Sequence, residues 1–259
     1  SGRSVSLSSN GTRVAIGADY NDGNGNLSGH VRIYDYNGSA WEQVGADIDG
    51  EAGDRSGHSV SLTPDGTRVA IGASFHDNNK GAVRIYDYNG SAWVQVGADI
   101  DGEAAGDYSG DSVSLSSDGS IVAIGSPNHD VGGNSNAGHV RIFELQSNNS
   151  WTQLAGDIDG AEEDTNFGSN VSLSSDGTRV AIGAPGSNVE IGNTNRFKTI
   201  GGLVRIYDLI NGTWEQVGVD LEGEKEHDYF GADLSLTPDG SIVAIGARSS
   251  FAFNKPNLD

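Results

Sequence analysis

Ser4-Val5-Ser6-Leu7-Ser8, Val14-Ala15-Ile16-Gly17-Ala18, Gly29-His30-Val31-Arg32-Ile33-Tyr34-Asp35-Tyr36 and Trp41-Glu42-Gln43-Val44-Gly45 make up one unit, and the rest of the chain rewrites it. Its Val-Ala-Ile-Gly element returns at Val69, Val122, Val180 and Val243, and its tryptophan returns at Trp93, Trp151 and Trp214. A repeat of roughly 50–60 residues built from short apolar runs is the signature of a propeller or stacked array. Within the unit the runs predict four strands: a (Ser4–Ser8), b (Arg13–Ala18), c (His30–Tyr36) and d (Trp41–Gly45). Each is rich in Val, Ile, Tyr or Trp and bounded by Gly, Asn, Asp or Ser. The a–b links, Ser-Ser-Asn-Gly, Thr-Pro-Asp-Gly or Ser-Ser-Asp-Gly, predict tight hairpins in which the Asn/Asp-Gly pair supplies positive φ angles. The expectation is an all-β fold, a β-propeller of four-stranded antiparallel blades. One domain, 1–259, divides at about 1–54, 55–107, 108–164, 165–228 and a partial 229–259. The fifth repeat offers an a–b hairpin at Ser235–Ala247, and Phe251-Ala252-Phe253 could add a third strand.

Composition agrees with many short strands and many turns: 35% hydrophobic residues and 39 glycines. The strict return of apolar positions argues against disorder. Without cysteine there is no disulfide, zinc-thiolate site or thiol nucleophile. No apolar run approaches the roughly 20 residues of a membrane helix, so no membrane insertion is expected within this segment. The chain lacks methionine and begins within the repeat register, and so reads as a segment of a longer protein. A net charge of −21 disfavours nucleic acid as a partner. Cations, basic surfaces or simply solvent are the expected neighbours of such a surface.

Nearly all length variation sits in the b–c connection, short at Ala73–Gly81 and long at Ala184–Gly202. In a meander blade the b–c and d–a loops emerge on one face, so that face is both variable and loop-rich, as binding faces are. Half of the acidic residues fall between d and the next a: Asp47, Asp49, Glu51, Asp54; Asp99, Asp101, Glu103, Asp107; Asp157, Asp159, Glu162, Glu163, Asp164; and Asp220, Glu222, Glu224, Glu226, Asp228. Asp-Ile-Asp-Gly-Glu supplies the oxygen ligands that calcium favours, though not at the twelve-residue EF-hand spacing. The candidate metal residues are therefore Asp47, Asp49, Glu51, Asp54, Asp99, Asp101, Glu103, Asp107, Asp157, Asp159, Asp220 and Glu222, with calcium as the candidate ion. The alternative for the same residues is a solvated acidic rim. The b–c loop Asp19–Asn26 is also oxygen-rich, and equally reads as a Gly/Asn turn.

Arg13, Arg68 and Arg179 recur in strand b, and Arg32, Arg84, Arg141 and Arg205 in strand c. Repeated cations inside strands read as structural ion-pair partners, with Asp35, Asp87 and Asp208 nearby. Catalysis needs a few unlike groups converging once, whereas these carboxylates are multiplied around a ring and the histidines are dispersed. His30 and His139 share one repeat position that is Ala82 and Leu203 elsewhere. No catalytic residue is expected. Of the Asn-x-Ser/Thr sequons, Asn37, Asn89 and Asn211 fall on the c–d turn and are the glycosylation candidates.

The fourth unit reads Asn166-Phe167-Gly168-Ser169-Asn170-Val171 and then Val180-Ala181-Ile182-Gly183-Ala184-Pro185. Phe230-Gly231 repeats the first half, and Ile124-Gly125-Ser126-Pro127 nearly repeats the second. These elements resemble the FG-GAP repeat, the blade unit of the integrin α-subunit propeller, and look closest to its bacterial and algal variety. The resemblance covers essentially the whole chain and implies the propeller fold. It departs at Ser174-Ser175-Asp176-Gly177-Thr178, which is too short for the calcium loop that integrin-type repeats carry between a and b. That family site does not transfer to these residues. Thr63-Pro64-Asp65-Gly66-Thr67 also resembles the turn of TolB-like and WD40 propellers, which would change the family but not the architecture. The expected function is a non-enzymatic extracellular or cell-surface interaction module, adhesive or scaffolding, presenting its variable loops to a protein or glycan. A polysaccharide hydrolase or lyase on a propeller scaffold is one alternative. Another is a structural repeat whose partners are neighbouring copies in an extracellular fibre or coat.

Overall fold

The computed structural model describes residues 1–186, 188–190, 197–199, 201–225 and 227–248. Four antiparallel sheets follow the order a-b-c-d, with a two-stranded fifth. Strands a are Val5–Leu7, Ser59–Leu62, Ser112–Leu115, Asn170–Leu173 and Phe230–Leu236. Strands b are Arg13–Ala18, Arg68–Ala73, Ile121–Ser126, Arg179–Ala184 and Val243–Ala247. Strands c are His30–Tyr36, Ala82–Tyr88, His139–Leu145 and Leu203–Ile210. Strands d are Trp41–Gln43, Trp93–Gln95, Trp151–Gln153 and Thr213–Gln216. The chain is a propeller of four four-stranded blades and a partial fifth. Phe251–Phe253 and Glu226 lie outside the described residues.

The Val-Ala-Ile-Gly alternation is the packing rule of the fold. Two successive residues of a strand face opposite sides of the sheet. Val69 and Ile71 of the second blade therefore pack back onto Ala15, Val31, Ile33 and Ile48 of the first. Ala70, on the other side of the same strand, joins Val83, Ile85 and Ile100 against Val113, Leu115, Val122 and Ile124 of the third. The next interface repeats this with Val140, Ile142 and Ile158 against Val171, Leu173, Val180 and Ile182. Each blade offers the Val and Ile of strand b backward and the Val and Ile of strand c forward, so the core lies between blades. On the first blade the backward-facing Val5 and Leu7 are 57% and 56% exposed.

The motif glycines follow from how closely the blades approach. A side chain on Gly17, Gly72, Gly125 or Gly183 would overlap the carbonyl oxygen of Gly57, Gly110, Gly168 or Gly231, the glycine that opens the next strand a. The strand-a serines stitch the same seam. Ser59 Oγ donates to Gly110 O at 2.8 Å, and Ser61 Oγ accepts from Leu115 N at 3.0 Å. Farther out, the tryptophans of the second, third and fourth blades clasp the preceding blade. Trp93 Nε1 donates to Val44 O and Trp151 Nε1 to Val96 O, both at 3.0 Å, and Trp214 Nε1 to Leu154 O at 3.3 Å.

The strand-b arginines pair as the sequence predicts. Arg13 with Asp35, Arg68 with Asp87 and Arg179 with Asp208 form two-pronged ion pairs, each with one contact at 2.6 Å. Their third arm reaches the next blade: Arg13, Arg68 and Arg179 donate to the carbonyls of Gly66, Gly119 and Gly240.

The a–b turns differ from the expected hairpin. Only the glycine of each Asn/Asp-Gly pair has positive φ, +67° to +73°. The preceding side chain caps the turn instead, as Asp65 does by accepting from Thr63, Thr67 and the Thr67 amide. In the fifth blade such bonds from Thr237 and Ser241 hold the Asp239 carboxyl down to about 2. The b–c loops carry a single turn at His76–Asn79 in the second blade, and a small hairpin of Asn188–Glu190 with Phe197–Thr199 in the fourth.

Strand d departs from a simple run in every full blade. After Gln43 the chain bulges through Gly45, Ala46 and Asp47 and re-joins strand c at Ile48–Asp49, opposite Val31 and His30. The bulge needs a positive φ, met by glycine at Gly45, Gly97 and Gly218 but by Ala155 in the third blade, at φ +64°. A Cβ costs roughly 1–2 kcal/mol in that conformation, partly offset by the greater freedom a glycine loses on folding. Ala155→Gly is therefore expected to raise stability by about 1 kcal/mol in urea unfolding, and a loss of stability would contradict this account of the bulge.

Candidate functional site

The bulge re-sorts the acidic residues. Asp49, Asp101, Asp159 and Glu222 are not the loop residues that the sequence alone suggests. They sit on the resumed outer strand, opposite His30, Ala82, His139 and Leu203. Asp47, Asp99 and Asp220 stand at the bulge and receive the strand-c arginines. Arg32 grips Asp47 at 2.8 Å, Arg84 grips Asp99 at 2.7 Å and Arg205 grips Asp220 at 2.8 Å. Gln43, Gln95 and Gln216 each add a bond to the same carboxylate. The hydrogen-bonded arginine holds the Asp47 and Asp220 carboxyls below the usual range. These acids serve as ion-pair partners within their blades.

Farther along the loops, Asp54 and Asp107 are buried and fold the turn on itself. Asp54 accepts from Glu51 N, Arg84 Nη1 and His76 Nδ1 at 3.0, 2.7 and 2.8 Å. Burial opposes its ionisation, but those bonds outweigh it and leave its pKa lowered. Asp107 accepts from Ala104 N at 2.8 Å and lies 2.9 Å from His129 Nδ1. Glu103 stands 3.8 Å from both Arg141 and His129. Ligand atoms of His30, Asp47 and Asp49, of Glu51, Asp54 and His76, of His76, Asp99 and Asp101, of Glu103, His129 and His139, and of His139, Asp157 and Asp159 fall within 4.8 Å of one another. Among the described residues the candidates thus gather around histidines, which are dispersed along the sequence. Asp220 and Glu222, whose blade has Leu203 in place of the histidine, join no such group among the described residues.

The sequons sit on exposed c–d turns of the opposite face. Their asparagines also have local work: Asn37 Oδ1 and Asn89 Oδ1 accept from the amides of Ser39, Ala40, Ser91 and Ala92.

On the loop face the ring surrounds a funnel of about 760 Å³, lined by strands a of all five blades. The residue after the strand-opening glycine differs from blade to blade, as Arg3, His58, Asp111, Ser169 and Ala232. At the mouth His58 Nδ1 lies 3.4 Å from the buried Asp19, and Nε2 lies 3.0 Å from Asp111. Arg3 approaches the same ring nitrogen at 3.1 Å and Asp19 at 3.8 Å. Beside them is an arginine–aromatic stack. The Arg55 guanidinium lies 4.7 Å from the centre of the Tyr20 ring and 3.8 Å from that of Phe75. Phe75 meets Tyr108 edge-on at 5.1 Å and His58 at 6.1 Å. Tyr20 is 63% exposed. Among the described residues this constellation occurs at the first two interfaces only, and it breaks the repeat symmetry. Its signal in the sequence is the variable residue between a recurring glycine and Ser-Val.

Residues 46–86 match the FG-GAP repeat family. They run from the bulge of the first blade into strand c of the second, and include Gly57 and Gly72, each of them one partner of a glycine contact described above. The chain carries the FG-GAP repeat. The chain as a whole has propeller-like neighbours among solved structures. A protein described as a putative 6-phosphogluconolactonase, from Bacteroides uniformis, superposes with a TM-score of 0.57 at 13% identity over 93% of this chain. Hydrazine synthase from Kuenenia stuttgartiensis superposes with a TM-score of 0.59 at 16% identity over 95% of this chain. At those identities the likeness is one of fold. The chain spans 57% and 61% of the length of these two structures. No curated protein sequence matches it.

Proposed function

We propose that this FG-GAP chain is a non-enzymatic extracellular or cell-surface interaction module whose loop face holds a glycan. The observation that carries the reading is the Tyr20–Arg55–Phe75–Tyr108 stack, opening beside the charged funnel mouth of Arg3, His58, Asp19 and Asp111. Aromatic faces pack on the apolar faces of sugar rings, and carboxylates and guanidinium groups bond the hydroxyls around them. Exposed sequons on the far face fit a module displayed outside the cell. Loops of differing length around the mouth would set which ligand fits.

A second reading has its own observation. Asp19, His58 and Asp111 are unlike groups converging once, as a hydrolytic centre requires. Both nitrogens of His58 already face carboxylates, which suits a fixed electrostatic post better than a base awaiting substrate. The two readings separate on purified protein. A glycan array is expected to show retained ligands, and Tyr20→Ala or Arg55→Ala to weaken retention by about thirtyfold, the effect of losing roughly 2 kcal/mol at a hot spot. Reducing-sugar release that disappears in Asp111→Asn would overturn the non-enzymatic reading. Retention of a protein but no glycan would reassign the ligand.

A further inference from the structure

We propose that His139, Asp157 and Asp159 of the third blade form a binding site for a divalent transition-metal ion of the zinc class, rather than for calcium. His139 opens strand c and pairs in register with Asp159 on the resumed strand, and Asp157 stands at the bulge two residues earlier. One ligand atom from each lies within 4.8 Å of the others. The site stands on three further observations.

First, His139 is fully buried, and neither ring nitrogen has a hydrogen-bond partner among the described residues. Two buried ring nitrogens left unsatisfied carry a desolvation penalty, which the neighbouring blades avoid with Ala82 and Leu203 at the same position. Second, the arginine that should neutralise Asp157 has turned away. Arg32, Arg84 and Arg205 pair with the bulge aspartates of their own blades, but Arg141 donates to the Asp101 carbonyl of the second blade at 2.6 Å. Asp157 keeps a bond from Gln153 to Oδ1 at 2.6 Å, which fixes its orientation and leaves Oδ2 for a cation. Third, the pocket continues into ligand-competent groups. His129 stacks on His139 at 3.9 Å, and its Nδ1 lies 2.9 Å from Asp107, the carboxylate–histidine arrangement that orients metal ligands. Glu103 completes that side.

The titration behaviour fits. Burial, then the proximity of His129 and Arg141, pushes the His139 pKa down to about 3, so the ring is the neutral imidazole that ligates metals. Burial, then the charge of Asp157, raises the Asp159 pKa, a cost that a cation between the two carboxylates would relieve. Imidazole with carboxylate suits zinc and its neighbours, whereas calcium takes oxygen ligands only. Ligand atoms around tetrahedral zinc stand about 3.4 Å apart, so small side-chain rotations would close the site. In the first blade His30, Asp47 and Asp49 share the geometry, but Arg32 already holds Asp47; the third blade is the stronger site.

The test is titration of the chelator-treated chain with zinc, calcium and magnesium chlorides at matched ionic strength, followed by calorimetry and thermal melting. Cobalt(II) serves as a visible-absorption probe. The expected result is one zinc ion per chain and a melting shift that calcium and magnesium do not reproduce. His139→Leu, which places there the residue that the fourth blade carries as Leu203, and Asp157→Asn should each weaken zinc binding at least tenfold and remove the cobalt absorption, while His30→Ala leaves both in place. Equal binding of zinc by the parent chain and both variants would overturn the proposal, as would no zinc binding or equal shifts with all three ions.

Discussion

Gly125→Ala is expected to destabilise the chain by about 3 kcal/mol, near the upper end of what overpacking a well-filled interior costs. Gly125 has no unusual φ, so alanine could adopt its backbone conformation. What forbids the methyl is space: a Cβ there would overlap the carbonyl of Gly168, which opens the next blade, and the Ser112 hydroxyl that donates to that carbonyl at 2.7 Å. The Gly168 carbonyl is backbone, so it cannot yield without moving one blade against the other. Gly156 is the internal control, since a Cβ there meets nothing within 4 Å, and Gly156→Ala should change stability by no more than about 0.5 kcal/mol. Urea unfolding of both variants decides the matter. Equal, small effects would mean that the blades are not in close contact at the motif glycines, and the packing rule drawn from them would be wrong.

That contact also explains why so much of the fold was legible. Every interface reuses the Val-Ala-Ile-Gly alternation, and most also reuse the Ser-x-Ser of strand a, the tryptophan and the strand-b arginine, which the third blade replaces with Ile121. A packing rule repeated at every interface becomes a repeat in the sequence. Asp35, Asp87 and Asp208 could be assigned to their arginines because both partners recur. The bulge in strand d was harder to see, because Gly45 reads as the end of a strand and Ile48–Asp49 is too short to announce another. A signal was present in the constant spacing of fifteen residues between Arg32 and Asp47, Arg84 and Asp99, and Arg205 and Asp220. Reading it would have moved these acids from a repelling rim to internal ion pairs.

The parts that matter for function were least legible, for a physical reason. Arg3, His58 and Asp111 occupy one repeat position with three different residues, so periodicity treats them as noise. Only the stacking of consecutive blades brings them to one mouth. Arg55, Phe75 and Tyr108 come from three loops that no local pattern connects. The metal-competent histidines were visible as a shared position of His30 and His139, but their aspartate partners could be matched only once the resumed strand had placed Asp49 and Asp159 opposite them. Sites that depart from a repeat depend on geometry between units, and the repeat itself does not encode it.

Acidification of the chelator-treated chain is expected to remove about 4–5 kcal/mol of stability between pH 6.5 and pH 3 through His139 alone. Its folded pKa is depressed to about 3 by burial, reinforced by the adjoining His129 and Arg141 and only partly opposed by Asp107. In the unfolded chain it titrates near the ordinary histidine value of 6.5. Between those two values the unfolded state binds a proton that the folded state does not. The contribution is therefore fully present above pH 6.5 and declines as pH falls, by up to about 1.4 kcal/mol per unit. The carboxylates held low by arginine, among them Asp35, Asp208 and Asp220, have the same sign but act in a lower window. Their contribution is present above the unfolded value of about 3.9 and is lost as pH falls through their folded values. Asp159, with a raised pKa, works in the opposite direction, and its protonation relieves repulsion from Asp157. The two windows separate in His139→Leu, which keeps the packing seen at Leu203 and removes the titrating ring. Urea unfolding at pH 7, 5.5 and 4.5 should show a steep decline in the parent chain and a shallow one in the variant. Parallel declines would mean that His139 takes up its proton inside the folded blade, and that the site around it is open to water.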